Sequence, residues 1–178
     1  EITVQIWQTS VSAVVENQKI NEAFSQFLKA PIRLVRYTER SKRNMSSTSA
    51  SFQPEAMFAD SRPLQIVNLK SLQELNSELV HPVGIERFRA NVIVEGLAAY
   101  EEDRWETWQS ESVVFSQKKP CSRCVVINVN PSTGISEGPE PLKSLAKKRT
   151  QNSKVNFGVL YIPENIGILT VGAQLAIK

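Results

Sequence analysis

The chain has 178 residues, 41% hydrophobic and 22% charged, a balance that supports a packed core and excludes a disordered chain. Its net charge of +3 is too small to call for a nucleic-acid partner, and no apolar run reaches the roughly 20 residues of a membrane helix, so neither nucleic acid nor a membrane is expected. One histidine, His81, and two cysteines, Cys121 and Cys124, exclude a four-thiolate zinc site, a zinc site needing several imidazoles and a disulfide framework. Seven glycines form neither GxGxxG nor GxxxxGK, which excludes the usual dinucleotide and P-loop fingerprints. A soluble, cytoplasmic domain is the expectation. Among the acids only Asp60 and Asp103 are aspartates. The chain opens at Glu1 in strand-like sequence, which reads as a piece of a longer protein.

Residues 2–7 and 11–15 have strand character around the turn Gln8-Thr9-Ser10. Asn17 is a candidate N-cap for a helix whose apolar stripe is Ile20, Phe24, Phe27 and Leu28, ending before Pro31. A strand over Ile32 to Tyr37 follows, then a serine-rich surface loop at 39–56, expected to be mobile. Leu64 to Val67 predicts a strand, and the capping box Ser71 to Glu74 predicts a helix over 71–79. Further strands are predicted at 91–95, 112–116 and 124–130, the last stopped by the turn Asn130 to Gly134. Pro141 opens a helix with the basic end Lys147-Lys148-Arg149, and strands at 155–162, 168–171 and 174–177 complete the chain. Many short strands with three helices between them predict an α+β domain, predominantly β, on a barrel-like sheet.

Three clusters carry candidate chemistry. Cys121 and Cys124 lie in Lys118-Lys119-Pro120-Cys121-Ser122-Arg123-Cys124, at the entrance of the strand expected from 124, with cations nearby to favour a thiolate. A thioredoxin-like pair expects a helix at this point, so the C-x-x-C spacing leaves a single soft thiolate ligand for a metal, or two core cysteines. Arg87, Arg89 and Asn91 share one face if the strand at 91–95 starts early, and arginine at a strand mouth can fork onto a phosphate. Asp60-Ser61-Arg62 precedes a strand as a turn with donors for a phosphate and an acceptor for a ring N–H. The run Glu101-Glu102-Asp103-Arg104-Trp105 reads as a charged turn over packed tryptophans.

Taken in order, FADSRPLQIVNLKSLQELN (58–76), RFRANVIVEG (87–96) with EEDRW (101–105), KPCSRCVVINVNPSTG (119–134), EPLKSL (140–145) and NFGVLYIPENIGILTVG (156–172) resemble the MOSC domain, named for the C-terminal domain of molybdenum cofactor sulfurase. The resemblance is to the branch with bacterial iron–sulfur MOSC proteins and the mitochondrial amidoxime reducing component. Its most specific part is P-C-x-R-C-x-x-x-x-V-x-P-x-T-G. It implies a lead-in over 1–57 and a MOSC domain over 58–178, with a β-barrel-like fold that holds a molybdenum–pterin cofactor. It further implies that Cys124 ligates molybdenum through sulfur, and that Asp60, Ser61, Arg89, Asn91, Ser122 and Arg123 contact the pterin and its phosphate.

The implied activity is reduction of N-hydroxylated compounds such as amidoximes and hydroxylamines, with electrons from a ferredoxin-like iron–sulfur or flavin reductase partner or domain. The alternative is a cofactor carrier or a sulfur-transfer module working through a Cys124 persulfide. Pyridoxal phosphate, also associated with the family, is a minor reading because no lysine is placed for a Schiff base. Leu160 departs from the pattern, standing where relatives carry tyrosine. The family's upstream domain, which adds cofactor contacts, is expected to lie outside these residues.

Overall fold

The computed structural model describes residues 1–48 and 51–177, with the backbone alone described at 117 and 118. The chain divides into two compact units, residues 1–61 and residues from Arg62 onward. It is predominantly β with three α-helices among the described residues, the class expected from its sequence.

In the first unit β1 (Ile2–Ile6) and β2 (Thr9–Val15) form an antiparallel hairpin with Ile2 opposite Ala13, and β3 (Val35–Arg36) pairs with β2. Helix α1 (Gln18–Leu28) starts where the Asn17 side chain accepts the N–H of Ile20 at 3.0 Å. Its apolar stripe stays unpacked: no residue of α1 is buried, and Phe27 is 80% exposed. The strand expected over Ile32 to Tyr37 shrinks to β3 because α1 side chains take its backbone donors. Ser25 Oγ accepts from Ile32 N at 3.0 Å and Asn21 Oδ1 from Leu34 N at 2.8 Å.

Residues 49 and 50 of the 39–56 loop lie outside the described residues. The base of the loop is tied by Met45 N to Pro54 O at 2.8 Å, Ala56 N to Arg43 O at 3.0 Å and Tyr37 Oη to Glu55 at 2.7 Å.

The second unit is built on one sheet that curls into a half-barrel. Its strands are β4 (Leu64–Asn68), β5 (Val92–Val94), β6 (Trp108–Ser110), β7 (Val113–Ser122), β8 (Thr150–Gln151), β9 (Lys154–Pro163) and β10 (Leu175–Ile177). They lie in the order β10-β6-β7-β9-β4-β5, with β8 on β9, and every pair but β4–β5 is antiparallel. That one parallel pair is bridged by a crossover containing α2 (Leu69–Ser77). Helix α3 (Leu142–Arg149) precedes β8.

Alternation along β4 sorts the two cores. Ile66 packs with Trp105, Trp108, Phe115 and Tyr161, whereas Val67 packs with Leu72, Leu75, Phe88, Leu145 and Phe157. On β9, Phe157 and Val159 fall in different cores because Gly158 between them sits at φ +76° and breaks the alternation. A Cβ there would lie 2.6 Å from the Ile66 carbonyl oxygen, so glycine lets β9 approach β4 at this corner.

Four local expectations are corrected. The helix after β4 starts at Leu69 rather than at a Ser71 capping box, capped by Asn68, whose side chain accepts from Lys70 N at 3.0 Å. Ser71 is diverted because its hydroxyl donates to the buried Glu102 carboxylate at 2.9 Å. The strand expected at 112–116 runs on to Ser122. The strand expected at 124–130 is instead a 3₁₀ turn, Val125–Asn128, which buries Ile127 and Asn128 while Val125 and Val126 stay exposed. Arg87 and Leu142 fix that turn: Arg87 Nη1 donates to Asn128 O at 3.0 Å, and Leu142 N to Asn128 Oδ1 at 3.1 Å. No strand forms at 168–171; the chain is irregular until β10.

Candidate functional site

β7 pairs with β9 through register shifts between Ser116 and Lys119 and between Pro120 and Ser122, where Pro120 has no N–H to give the ladder. The strand ends there with Cys121 buried and Ser122 exposed. The two cysteines therefore close a strand instead of opening one. Arg123 N donates to Val155 O at 2.7 Å, and Cys124 follows in extended backbone, its side chain exposed, at the head of the 3₁₀ turn. Burial pushes the Cys121 thiol above its usual range, outweighing the pull of Arg123 and Lys119, so the activation expected of a cysteine among cations is reversed at Cys121. The side chain of Lys118, the third cation of that expectation, lies outside the described residues.

Arg123 is the centre of the cluster. Its Nε donates to Phe157 O at 2.9 Å and its Nη1 to Phe88 O at 3.1 Å, and its guanidinium stacks 5.6 Å from the centre of the Phe88 ring. Nη2 is buried with no hydrogen-bond partner among the described residues. Burial lowers the pKa of Arg123, while the neighbouring Cys121 and Cys124 thiols pull it the other way. One half-buried guanidinium thus joins the two cysteines to the backbone just before Arg89.

Arg87, Arg89 and Asn91 do not share a strand face. Residues Ile85–Phe88 form a 3₁₀ turn, Arg89 is left-handed at φ +52°, and β5 begins only at Val92. The early strand start is blocked by that turn, which the Arg123 bond to Phe88 O helps to hold. Arg87 is spent on the carbonyl of Asn128 and on Glu137, its side chain 7% exposed. Arg89 is exposed and has no side-chain partner among the described residues. Asn91 is a clamp: its Oδ1 accepts Gln65 N at 2.8 Å and its own N–H goes to Gln65 O at 3.0 Å, leaving Nδ2 for a ligand.

Asp60 and Ser61 belong to the first unit, which they close. Asp60 is exposed, and its segment is held by Arg43, whose guanidinium donates to Met57 O at 3.1 Å, to Asp60 O at 3.4 Å and to Ala59 O. Arg43 was not singled out by the sequence, since nothing in a polar loop marks which arginine reaches back to a distant carbonyl. Gln65 was missed as well. It is 7% exposed, and its Nε2 is a second buried donor without a partner. A glutamine inside the apolar run Leu64 to Val67 was the available signal.

The structure brings Arg89, Asn91, Ser122, Arg123 and Cys124 into one unit, and Arg123 bridges their segments. An exposed soft thiol beside a guanidinium with an unmet donor, an unpaired arginine and an unmet amide N–H form a donor set for an acceptor-rich anionic group with a thiophilic metal. A molybdenum–pterin group fits that set.

The fold is that of a predominantly β domain, and the chain belongs to the MOSC domain family, whose profile matches residues 53–176. It is 32% identical over 161 residues to the mitochondrial amidoxime reducing component 2 of Bos taurus, covering 84% of this chain and 48% of that protein. Against the human mitochondrial amidoxime-reducing component 1 it is 30% identical over 174 residues, 89% of this chain and 52% of the relative. Against the molybdenum cofactor sulfurase of Oryza sativa subsp. japonica it is 28% identical over 166 residues, 84% of this chain and 20% of that protein. The chain spans about half the length of the amidoxime reducing components it matches. No described helix is long and apolar enough to cross a membrane.

Proposed function

We propose that this chain is the molybdenum-cofactor-binding part of an oxidoreductase that reduces N-hydroxylated compounds such as amidoximes and hydroxylamines. The observation that carries the reading is the adjacency of an exposed thiol, Cys124, to Arg123, a guanidinium with one buried donor unmet. The names of the relatives, amidoxime reducing components and a molybdenum cofactor sulfurase, support the choice of cofactor and of substrate class.

When bound, the molybdenum cofactor supplies the two-electron chemistry that removes an oxygen from nitrogen. The chain's own residues bind and orient. Cys124 offers a thiolate as a soft metal ligand. Arg123 offers Nη2, Asn91 offers Nδ2 and Arg89 offers an unpaired guanidinium to acceptor and phosphate oxygens. Ser122 is exposed beside them and can donate its hydroxyl. Electrons come from a ferredoxin-like iron–sulfur or flavin reductase partner or domain. The expected compartment is the cytoplasm; the relatives named mitochondrial set the alternative, and cell fractionation decides between them.

The test is metal and pterin content after purification from cells that make molybdenum cofactor, followed by reductant-dependent reduction of an amidoxime. Near-stoichiometric molybdenum, lost in Cys124→Ser, is the expected result. Absence of molybdenum from the folded wild type defeats the reading. A protein that binds the cofactor yet fails to reduce any N-hydroxylated compound defeats its enzymatic half and leaves a carrier.

A further inference from the structure

We infer that Gln65 is a further binding residue of the cofactor site, its side-chain N–H donating to an acceptor atom of the bound group; this rests on the reading above. Among the described residues four buried side-chain donors have no partner: Gln65 Nε2, Arg123 Nη2, Trp105 Nε1 and Trp108 Nε1. The two indoles belong to the core on the Ile66 face of the sheet. Gln65, two residues before Val67, points to the opposite face, where Val67 packs with Phe88 and Phe157. Arg123 stacks on that same Phe88 and donates to the carbonyl of that same Phe157.

Gly158 lies beside Gln65 and next in the chain to the residue whose carbonyl Arg123 holds. It follows Phe157 directly, and a Cβ placed on it would lie 3.3 Å from Gln65 Nε2. The absence of a side chain on Gly158 lets β9 pack closely against β4 beside Gln65, while Arg123 holds the carbonyl of the preceding Phe157. The backbone of Gln65 is fixed in both directions by Asn91, at 2.8 and 3.0 Å, so its carboxamide is carried by a rigid element. A glutamine 7% exposed among Leu64, Ile66 and Val67 is unfavourable unless its donor is met. A neutral amide donor next to a guanidinium suits a group rich in carbonyl oxygens, ring nitrogens or phosphate oxygens, which are acceptors the proposed cofactor carries. Gln65 Nε2 and Arg123 Nη2 are thus two buried donors in the unit that also holds the exposed residues Arg89, Asn91 and Cys124.

The experiment compares wild type, Gln65→Met and Gln65→Glu, all purified as the intact protein from cells that make molybdenum cofactor. Molybdenum per chain, pterin fluorescence after oxidation and the melting temperature of cofactor-free protein are measured. Methionine keeps the volume and removes the donor; glutamate presents an acceptor to an acceptor. Both variants are expected to retain about fivefold less molybdenum and pterin, the effect of one hydrogen bond lost to the ligand. Cofactor-free Gln65→Met is expected to melt at or above the wild-type temperature, because an unmet donor has been removed. Equal retention in both variants overturns the inference, and so does a drop of several degrees in cofactor-free Gln65→Met, which would make Gln65 a packing residue. A wild type that holds no molybdenum overturns the cofactor reading itself, and this inference with it, so the two failures are told apart by the wild-type sample.

Discussion

Arg123 touches Phe88 twice, donating from Nη1 to its carbonyl at 3.1 Å and stacking 5.6 Å from the centre of its ring. This one residue ties the loop after β7 to the 3₁₀ turn that delivers Arg89 and Asn91, and through Phe157 O it ties both to β9. Planarity matters more than charge here, since a lysine cannot fork between two carbonyls and lie flat on a ring. Arg123→Lys is therefore expected to lose about 2 kcal/mol of stability in urea unfolding, despite keeping the charge. The same variant is expected to retain less molybdenum. Wild-type stability together with wild-type retention would show that the guanidinium is incidental.

Much of this was legible in the sequence. The residue sets around Cys124, Arg89 and Asp60 stand out as short polar motifs beside apolar strands, and the order of those strands suggested the barrel-like sheet. What was not legible depends on partners remote in the chain. Ser71 looks like a helix cap until Glu102, 31 residues away, takes its hydroxyl. The run CVVINVN alternates like a strand, but Arg87 and Leu142 capture Asn128 and roll it into a turn. Arg87 and Arg89 are alike in sequence, yet one is consumed by Asn128 and Glu137 and the other has no side-chain partner among the described residues. Periodicity records which side of a strand is apolar; it carries no record of which distant carbonyl a donor will find.

Glu102 makes the fold sensitive to pH in a direction opposite to that of a paired surface carboxylate. Burial raises its pKa above the ordinary 4.5, opposed by hydrogen bonds from Ser71 and from the backbone and reinforced by Asp103. A carboxyl raised in the folded state stabilises fully below its unfolded value, near 4.5, and that stability is lost as pH rises through the higher folded value. Glu102→Gln removes the titration and keeps an acceptor for Ser71. Urea midpoints measured across this window are expected to show wild type losing ground to Glu102→Gln as pH rises. Parallel curves would mean that Glu102 ionises as it does in the unfolded chain.

Gly158 is a position where a single added methyl group meets backbone at close range. Its φ of +76° disfavours any side chain, and a Cβ would press within 2.6 Å of the Ile66 carbonyl and 2.7 Å of Val67 Cγ2. Gly158→Ala is expected to destabilise by about 2–3 kcal/mol, the sum of left-handed strain and displaced backbone. The alanine also narrows the corner beside Gln65, so molybdenum retention should fall further than stability alone explains. Chemical denaturation and metal analysis on the same preparation check both halves.

The two cysteines differ in accessibility, and alkylation reads the difference directly. Cys121 is 8% exposed with its thiol pKa pushed up by burial, while Cys124 is exposed next to a guanidinium. Iodoacetamide applied to the folded, cofactor-free protein is expected to modify Cys124 about tenfold or more faster than Cys121, because attack needs both thiolate and access. Peptide mapping by mass spectrometry assigns the site. In the cofactor-loaded protein the ranking should disappear, since a thiolate bound to metal is no longer available, and Cys124 labelling should fall toward that of Cys121. If loading leaves Cys124 as reactive as before while molybdenum remains bound, the metal is held elsewhere and the ligand assignment fails.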